Sequence, residues 1–316
     1  QRLAEMERYP FRFANADRLA VEVLRSKLQE ILRIKEARNR TKRGVSPGVG
    51  DRFDEYCTIL AEQLNRVPYT ELVRSRNRTS VPPLSSIYVK PTIKRPMQGF
   101  YLHKGDCDDD TAITIDQAVA RGKHILLQGE PGSGKTSMVK SLAVTLAESW
   151  RNGQQKELIP VYLSAREFAP TTASDGSFGR AVETQIVSFL GKRLVRGLPP
   201  NFFVDPLPGK CGWLLIIDGM DEVVNPEERR ALLDSINNQV RLVHQRIIFL
   251  VTSRPLSELD TSLTGEHFYR YDAIPFQEWQ VKDLVLRWFH CFNRSNEDAE
   301  NFLGLLQKPR LREFFM

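Results

Sequence analysis

The run Gly129-Glu130-Pro131-Gly132-Ser133-Gly134-Lys135-Thr136 combines glycines, one cation and one hydroxyl at close spacing. Gly129, Gly132 and Gly134 allow backbone turns, some at positive φ, that aim successive N–H groups into one concavity, and a following helix adds the positive end of its dipole. Lys135 brings a mobile point charge to the outer phosphates of a nucleotide, and the Thr136 hydroxyl can ligate the Mg²⁺ that bridges them. The chemistry is capture of a nucleoside triphosphate on Gly129 to Thr136 and the first helical residue, Ser137.

Two further stretches carry functional groups. Trp213 to Val223 reads Trp-Leu-Leu-Ile-Ile-Asp-Gly-Met-Asp-Glu-Val, an apolar run ending in Asp218, Asp221 and Glu222. Carboxylates crowded at the end of a buried strand repel one another, and a cation relieves the conflict. Asp218 is placed to hold Mg²⁺, directly or through water, as a Walker B aspartate does, while Asp221 or Glu222 can orient and polarise an attacking water. Ile247 to Pro255 delivers Thr252, Ser253 and Arg254 at the end of another apolar run. Arg254 can contact a γ-phosphate and so report whether triphosphate or diphosphate is bound.

These groups need a scaffold that brings strand ends together. Strands are expected near residues 124–128, 159–163, 213–217, 247–252 and 268–273, with helical stretches between them at Ser137 to Trp150, Arg180 to Leu194 and Glu227 to His244. Such alternation implies a mostly parallel sheet covered by helices, with ligands at the carboxyl ends of the strands. Thr171 to Ser177 is small and polar and reads as a surface loop. Beyond Pro275 the pattern is helical only: Val281, Leu284, Val285, Trp288, Phe289 and Phe292 share one face, and Ser295 to Asp298 resembles a capping box opening a second helix through Leu306.

Upstream, Val21, Leu24, Leu28 and Ile31 recur at helical spacing within Asp17 to Lys35, and the polar face grows basic toward Arg43 before a Gly44 to Gly50 linker. A second helix is expected from Arg52 to Arg66, and Ile87-Tyr88-Val89 begins an extended lead-in, with Tyr88 a candidate contact for a nucleotide base. The domains so read are 1–50, a basic amphipathic helix and linker; 51–84, a helical connector; 85–275, the nucleotide-binding domain; and 276–316, the start of a further helical domain. The opening on Gln1 and the apolar Phe314-Phe315-Met316 at the other end give the expectation of a piece of a longer chain.

The net charge of +6 belongs to the first quarter of the chain, where residues 1–80 hold 17 Lys and Arg against 11 Asp and Glu; residues 81–316 hold 28 against 28. A basic arm can meet nucleic acid or serve as a solvated helix face, and the absence of aromatic interleaving and of a groove-reading motif favours the second. Cys57, Cys107, Cys211 and Cys291 show no disulfide or zinc spacing, which suits a reducing cytoplasm, and no apolar run is long enough to span a bilayer. The acidic cluster Asp106, Asp108, Asp109 and Asp110 lacks the glycine and distal glutamate of a calcium loop and reads as a solvated turn.

Taken together, the Gly129 to Thr136 loop, Asp218-Gly-Met-Asp221-Glu222 and Thr252-Ser-Arg254-Pro255 closely resemble the NACHT family of STAND P-loop NTPases. Ile159-Pro160-Val161-Tyr162-Leu163 looks like the second strand of that family, and Ile274-Pro275-Phe276 looks like its junction between sheet and helical domain. The segment Leu84 to Val89 looks like the lead-in of bacterial members. A Leu-Ser-Gly-Gly-Gln segment of ABC ATPases, an Asn-Lys-x-Asp of GTPases and the Asp-Asp-Val-Trp-like pattern of the plant-resistance and apoptosome branch are all absent. The resemblance implies an α/β fold with a five-stranded parallel sheet in the AAA+-like order 5-1-4-3-2, ATP and ADP as ligands with Mg²⁺, and slow hydrolysis. It also implies a signalling switch that self-associates to activate an amino-terminal effector when a carboxy-terminal sensor meets its trigger, as in bacterial antiphage defence. The competing expectation is an AAA+-type ATPase that turns over continuously to remodel protein or nucleic acid.

Overall fold

Burial decides where strands form. Ile125 to Leu127, Leu214 to Ile217 and Ile248 to Val251 are buried on both sides, the continuous apolar type that belongs inside a parallel sheet. In the computed structural model these runs form β2 (His124–Gln128), β4 (Gly212–Asp218) and β5 (Ile247–Ser253), joined by β3 (Leu158–Ser164) and β6 (Phe268–Ala273). The structure describes residues 49–67, 82–96, 111–152, 157–174, 177–193, 202–203, 207, 211–242, 247–263 and 267–307. The basic helix expected over Asp17 to Lys35, the acidic cluster at Asp106 to Asp110 and the apolar end at Phe314 to Met316 lie outside these residues.

With a short strand β1 (Ile93–Lys94) the sheet has six strands, in the order β1-β6-β2-β5-β4-β3. Strands β6, β2, β5, β4 and β3 are mutually parallel, and β1 pairs antiparallel with β6 at the edge, Ile93 opposite Ala273. The five-stranded expectation is corrected by this sixth strand, whose two residues are too few to show a period-two pattern. At the opposite edge, β3 carries Pro160, which an edge tolerates because one side of the strand has no ladder to donate to. The outward carbonyl of Pro160 accepts instead from the Tyr56 hydroxyl at 3.0 Å. Tyr56 lies on α1 (Val49–Leu64), which starts inside the expected linker.

The remaining helices are α2 (Leu84–Ile87), α3 (Ile115–Ala120), α4 (Lys135–Arg151), α5 (Ala165–Ser174), α6 (Phe178–Leu190), α7 (Pro226–Arg241), α8 (Ser257–Ser262), α9 (Glu278–Cys291) and α10 (Asn296–Leu306). Helix α4 buries Met138, Val139, Leu142, Ala143, Ala147 and Trp150 and packs on β3, which aims its amino terminus at the end of β2. Helix α5 replaces most of the surface loop expected over Thr171 to Ser177. Buried Ala165, Phe168 and Ala169 anchor it, and the tertiary contacts outweigh Pro170 inside the helix. The extended lead-in begins one residue later than expected, at Tyr88, because α2 occupies Leu84–Ile87 and closes with Tyr88 N–H on the Leu84 carbonyl at 2.9 Å.

Residues from Asp54 to Met316 form one compact unit; of the other, Gln1–Phe53, residues 49–53 are described. Within the larger unit, α9 and α10 pack through Phe289 and Phe302, and the Ser295 and Asp298 capping box is present. Trp288 and Cys291 of α9 close a small core with Val67, Leu84 and Ile87. The lead-in is tied to the same helix: Gln280, buried on α9, donates to the Lys90 carbonyl at 2.8 Å, and Arg287 donates to the Tyr88 carbonyl at 3.0 Å. Among the described residues no helix is long and apolar enough to cross a membrane.

His124 shows how the parallel ladder begins. Its Nδ1 accepts the Phe249 N–H at 3.1 Å, one residue before the Ile125 and Leu250 register pair, so the side chain supplies a bond that the ladder does not. Burial, then His267 and Lys123, lower its pKa to about 4 from an ordinary 6.5. The folded state thus favours neutral imidazole. Its contribution is present above pH 6.5 and is lost as the pH falls toward 4, about 2 kcal/mol once partial exposure is discounted. Urea midpoints measured at pH 7.5 and 4.5 are expected to fall more for wild type than for His124→Asn, which keeps an acceptor but does not titrate.

Candidate functional site

The phosphate-loop geometry follows from its glycines in two different ways. Gly132 and Gly134 sit at φ of 80° and 82°, which a side chain would strain. Gly129 has ordinary φ but no room: a Cβ there would lie 2.7 Å from Ser133 Oγ and 3.0 Å from Ala273 Cβ. The loop thus closes against the end of β6. Gly134 is the left-handed N-cap of α4 and offers no side-chain acceptor, so the first-turn N–H groups of Lys135, Thr136 and Ser137 face the concavity of the loop.

Lys135 folds over this loop. Its ammonium donates to the Gly129 carbonyl at 2.6 Å, the Glu130 carbonyl at 3.0 Å and Ser133 Oγ at 3.2 Å, which uses its three protons. Burial lowers its pKa, with Asp221 acting against the shift, Arg254 with it, and Asp218 and Glu130 against it. Pro131 bridges Glu130 and Gly132 at the loop's tip.

Asp218 ends β4 and is buried; three hydroxyls hold it. Thr252 donates to Oδ1 at 2.6 Å, Thr136 to Oδ1 at 3.3 Å and Tyr162 to Oδ2 at 2.8 Å. Burial first, and then Asp218, push the Tyr162 phenol far up, so it stays a donor. Thr252 has a second task, since its Oγ1 accepts the Gly219 N–H at 2.9 Å and fixes the left-handed turn at φ 79° that starts the acidic segment. In that segment Asp221 is claimed by Arg254, taking the backbone N–H at 3.0 Å and Nε at 2.9 Å. Glu222 folds over Gly219, its Cδ 3.1 Å from where a Cβ would stand, so any larger residue at 219 would displace it.

The structure therefore gathers Lys135, Thr136, Asp218, Asp221 and Arg254 at the carboxyl ends of β2, β4 and β5, with Glu222 on the same turn. The half-buried ring of Tyr88 lies toward α4, with a side-chain hydrogen bond to Ser141, and burial raises its pKa. Two groups the motifs did not point to are Tyr162, which reads as an ordinary strand residue, and a polar layer behind the loop. In that layer Gln128 donates to Asp260 at 2.9 Å, and Arg270 pairs with the same Oδ1 at 3.1 Å.

The donor set fits a nucleotide with Mg²⁺. The cradle at Gly129 excludes a side chain, the amino terminus of α4 has no capping side chain, the Lys135 ammonium lies over the same loop, and Thr136 and Asp218 offer hard oxygen donors 3.3 Å apart. Fold and site together define a P-loop nucleotide-binding protein. The sequence pattern of the NACHT domain matches residues 123–291, and the chain belongs to the NACHT family. Among solved structures, the chain is similar to C. elegans PCH-2, at 20% identity over 54% of this chain and 40% of that one, with a TM-score of 0.33. It is also similar to the Aeropyrum pernix ORC1 protein, solved in complex with DNA, at 18% identity over 53% and 44% with a TM-score of 0.31. The chain thus matches less than half the length of either. No curated protein matches it.

Proposed function

We infer that this protein is an ATP- and ADP-operated switch of the STAND class, with slow Mg²⁺-dependent hydrolysis that resets a state. The observation that carries this reading is the Asp221–Arg254 pair. The acid expected to polarise water and the arginine expected to sense the γ-phosphate hold each other through two contacts, backbone and side chain. A triphosphate competes for Arg254 by offering a second anion, so nucleotide state and the position of the strand β5 end become linked. A switch of this kind runs on the differential affinity of two conformations for ATP and ADP.

Bound Mg²⁺ would neutralise phosphate charge and order the outer phosphates. Thr136 and Asp218 would hold it, Lys135 would leave the loop carbonyls for phosphate oxygens, and Glu222 or Asp221 would orient the water. The lead-in supports an outward connection: its Tyr88 and Lys90 carbonyls are bonded to α9, so a shift of α9 pulls on the segment leading to the amino-terminal residues. Self-association, an effector before this unit, a sensor after it, a cytoplasmic site and a role in bacterial defence complete the proposal, with the basic arm as a further candidate for nucleic-acid contact.

Nucleotide content and turnover test the reading. Purified protein is expected to retain ADP and to hydrolyse ATP well below one per second, as judged by chromatography of the denatured supernatant and a phosphate-release assay. Rapid continuous turnover without retained ADP would favour the remodelling ATPase instead.

A further inference from the structure

The two oxygens of Asp218 are held differently. Oδ1 takes Thr252 and Thr136, whereas among the described residues the Tyr162 hydroxyl is the one that donates to Oδ2, at 2.8 Å. This contact depends on the register of β3 against β4. Ser164 stands opposite Asp218 and Tyr162 opposite Ile216, so Tyr162 shares the face of Asp218 and reaches it along the diagonal. Serine or threonine at 162 would be too short, and phenylalanine would have nothing to donate. The ring is fixed on two sides, by Phe189 with centroids 5.8 Å apart and by the Lys140 ammonium 5.5 Å from its centre. Lys140 comes from α4, the same helix that carries Lys135 and Thr136.

We propose that Tyr162 is a positioning residue that fixes the rotation of the Asp218 carboxylate, keeping Oδ1 turned to Thr136, and thereby sets the Mg²⁺ concentration at which the site takes up nucleotide. A carboxylate pinned through both oxygens presents each in a single direction. Without that donor Oδ2 loses its described partner, and the hydroxyls of Thr252 and Thr136 hold the carboxylate through Oδ1 alone, a single pivot that widens its torsional range and weakens any cation held by Thr136 and Oδ1. Partners that orient a ligating carboxylate without touching the metal typically change metal affinity by about 10- to 100-fold when lost. The inference rests on the Mg²⁺–nucleotide reading given above.

The test is Tyr162→Phe, which keeps the ring and removes only the donor. Binding of a fluorescent ATP analogue is followed by anisotropy, once in EDTA and once across a Mg²⁺ titration. Binding in EDTA, which depends on the loop and Lys135, is expected to match wild type within about twofold, while the Mg²⁺ midpoint rises about tenfold. An unchanged midpoint would overturn the proposal, and so would equal weakening with and without Mg²⁺, which is the signature of a merely structural tyrosine. If wild-type binding proved indifferent to Mg²⁺, the underlying reading of the site would fall, a result visible before the variant is made.

Discussion

Lys135→Ala is expected to lose nucleotide binding by about 100-fold, the largest single effect at this site. The ammonium is the strongest donor in the loop, and two charge-assisted bonds to phosphate oxygens contribute about 3 kcal/mol together, which is a factor of about 100 in affinity. The fold should survive. Among the described residues Lys135 bonds to its own loop, at Gly129, Glu130 and Ser133, rather than to a distant element. Isothermal titration with ADP, beside a thermal melt in the absence of nucleotide, separates the two quantities. A Lys135→Ala protein that still copurified with nucleotide would show that Gly129 to Thr136 is not the phosphate site.

Asp221→Asn and Glu222→Gln are both expected to leave ATP bound and to slow hydrolysis, by about 100-fold for whichever residue polarises the water. The structure separates the two variants. Asp221 holds the backbone N–H and the Nε of Arg254, and an asparagine Oδ1 can still accept the backbone N–H, so its neutralisation frees the Arg254 guanidinium. Glu222 folds over Gly219. Asp221→Asn should therefore also change the ratio of ATP to ADP affinity, because Arg254 becomes free for phosphate, whereas Glu222→Gln should leave that ratio as in wild type. Single-turnover hydrolysis and competitive titration of the two nucleotides measure these effects. If neither variant slowed hydrolysis, the acidic turn would be a structural feature only.

The phosphate loop was legible because its function is contiguous. Glycines, lysine and threonine act within one turn of backbone, and a strand before and a helix after it follow from apolar periodicity alone. The same holds for Asp218 and Arg254, each of which ends a buried run whose direction fixes where the side chain emerges. The sequence by itself thus determined the phosphate-loop motif, the alternation of strand and helix and the family.

Contacts that join distant strands were decided only by the tertiary structure. Tyr162 reaches Asp218 because β3 lies beside β4 in one register; a shift by one residue would turn the phenol to the other face. Pairing of Asp221 with Arg254 depends on β4 and β5 being neighbours, and the edge strand β1 exists only because β6 offers it an open edge. The helix through Pro170 and the Gln280 bond to the Lys90 carbonyl have the same origin. Local pattern reports which face of an element is buried, while the identity of what buries it is set by strand order, register and packing between residues far apart in the chain.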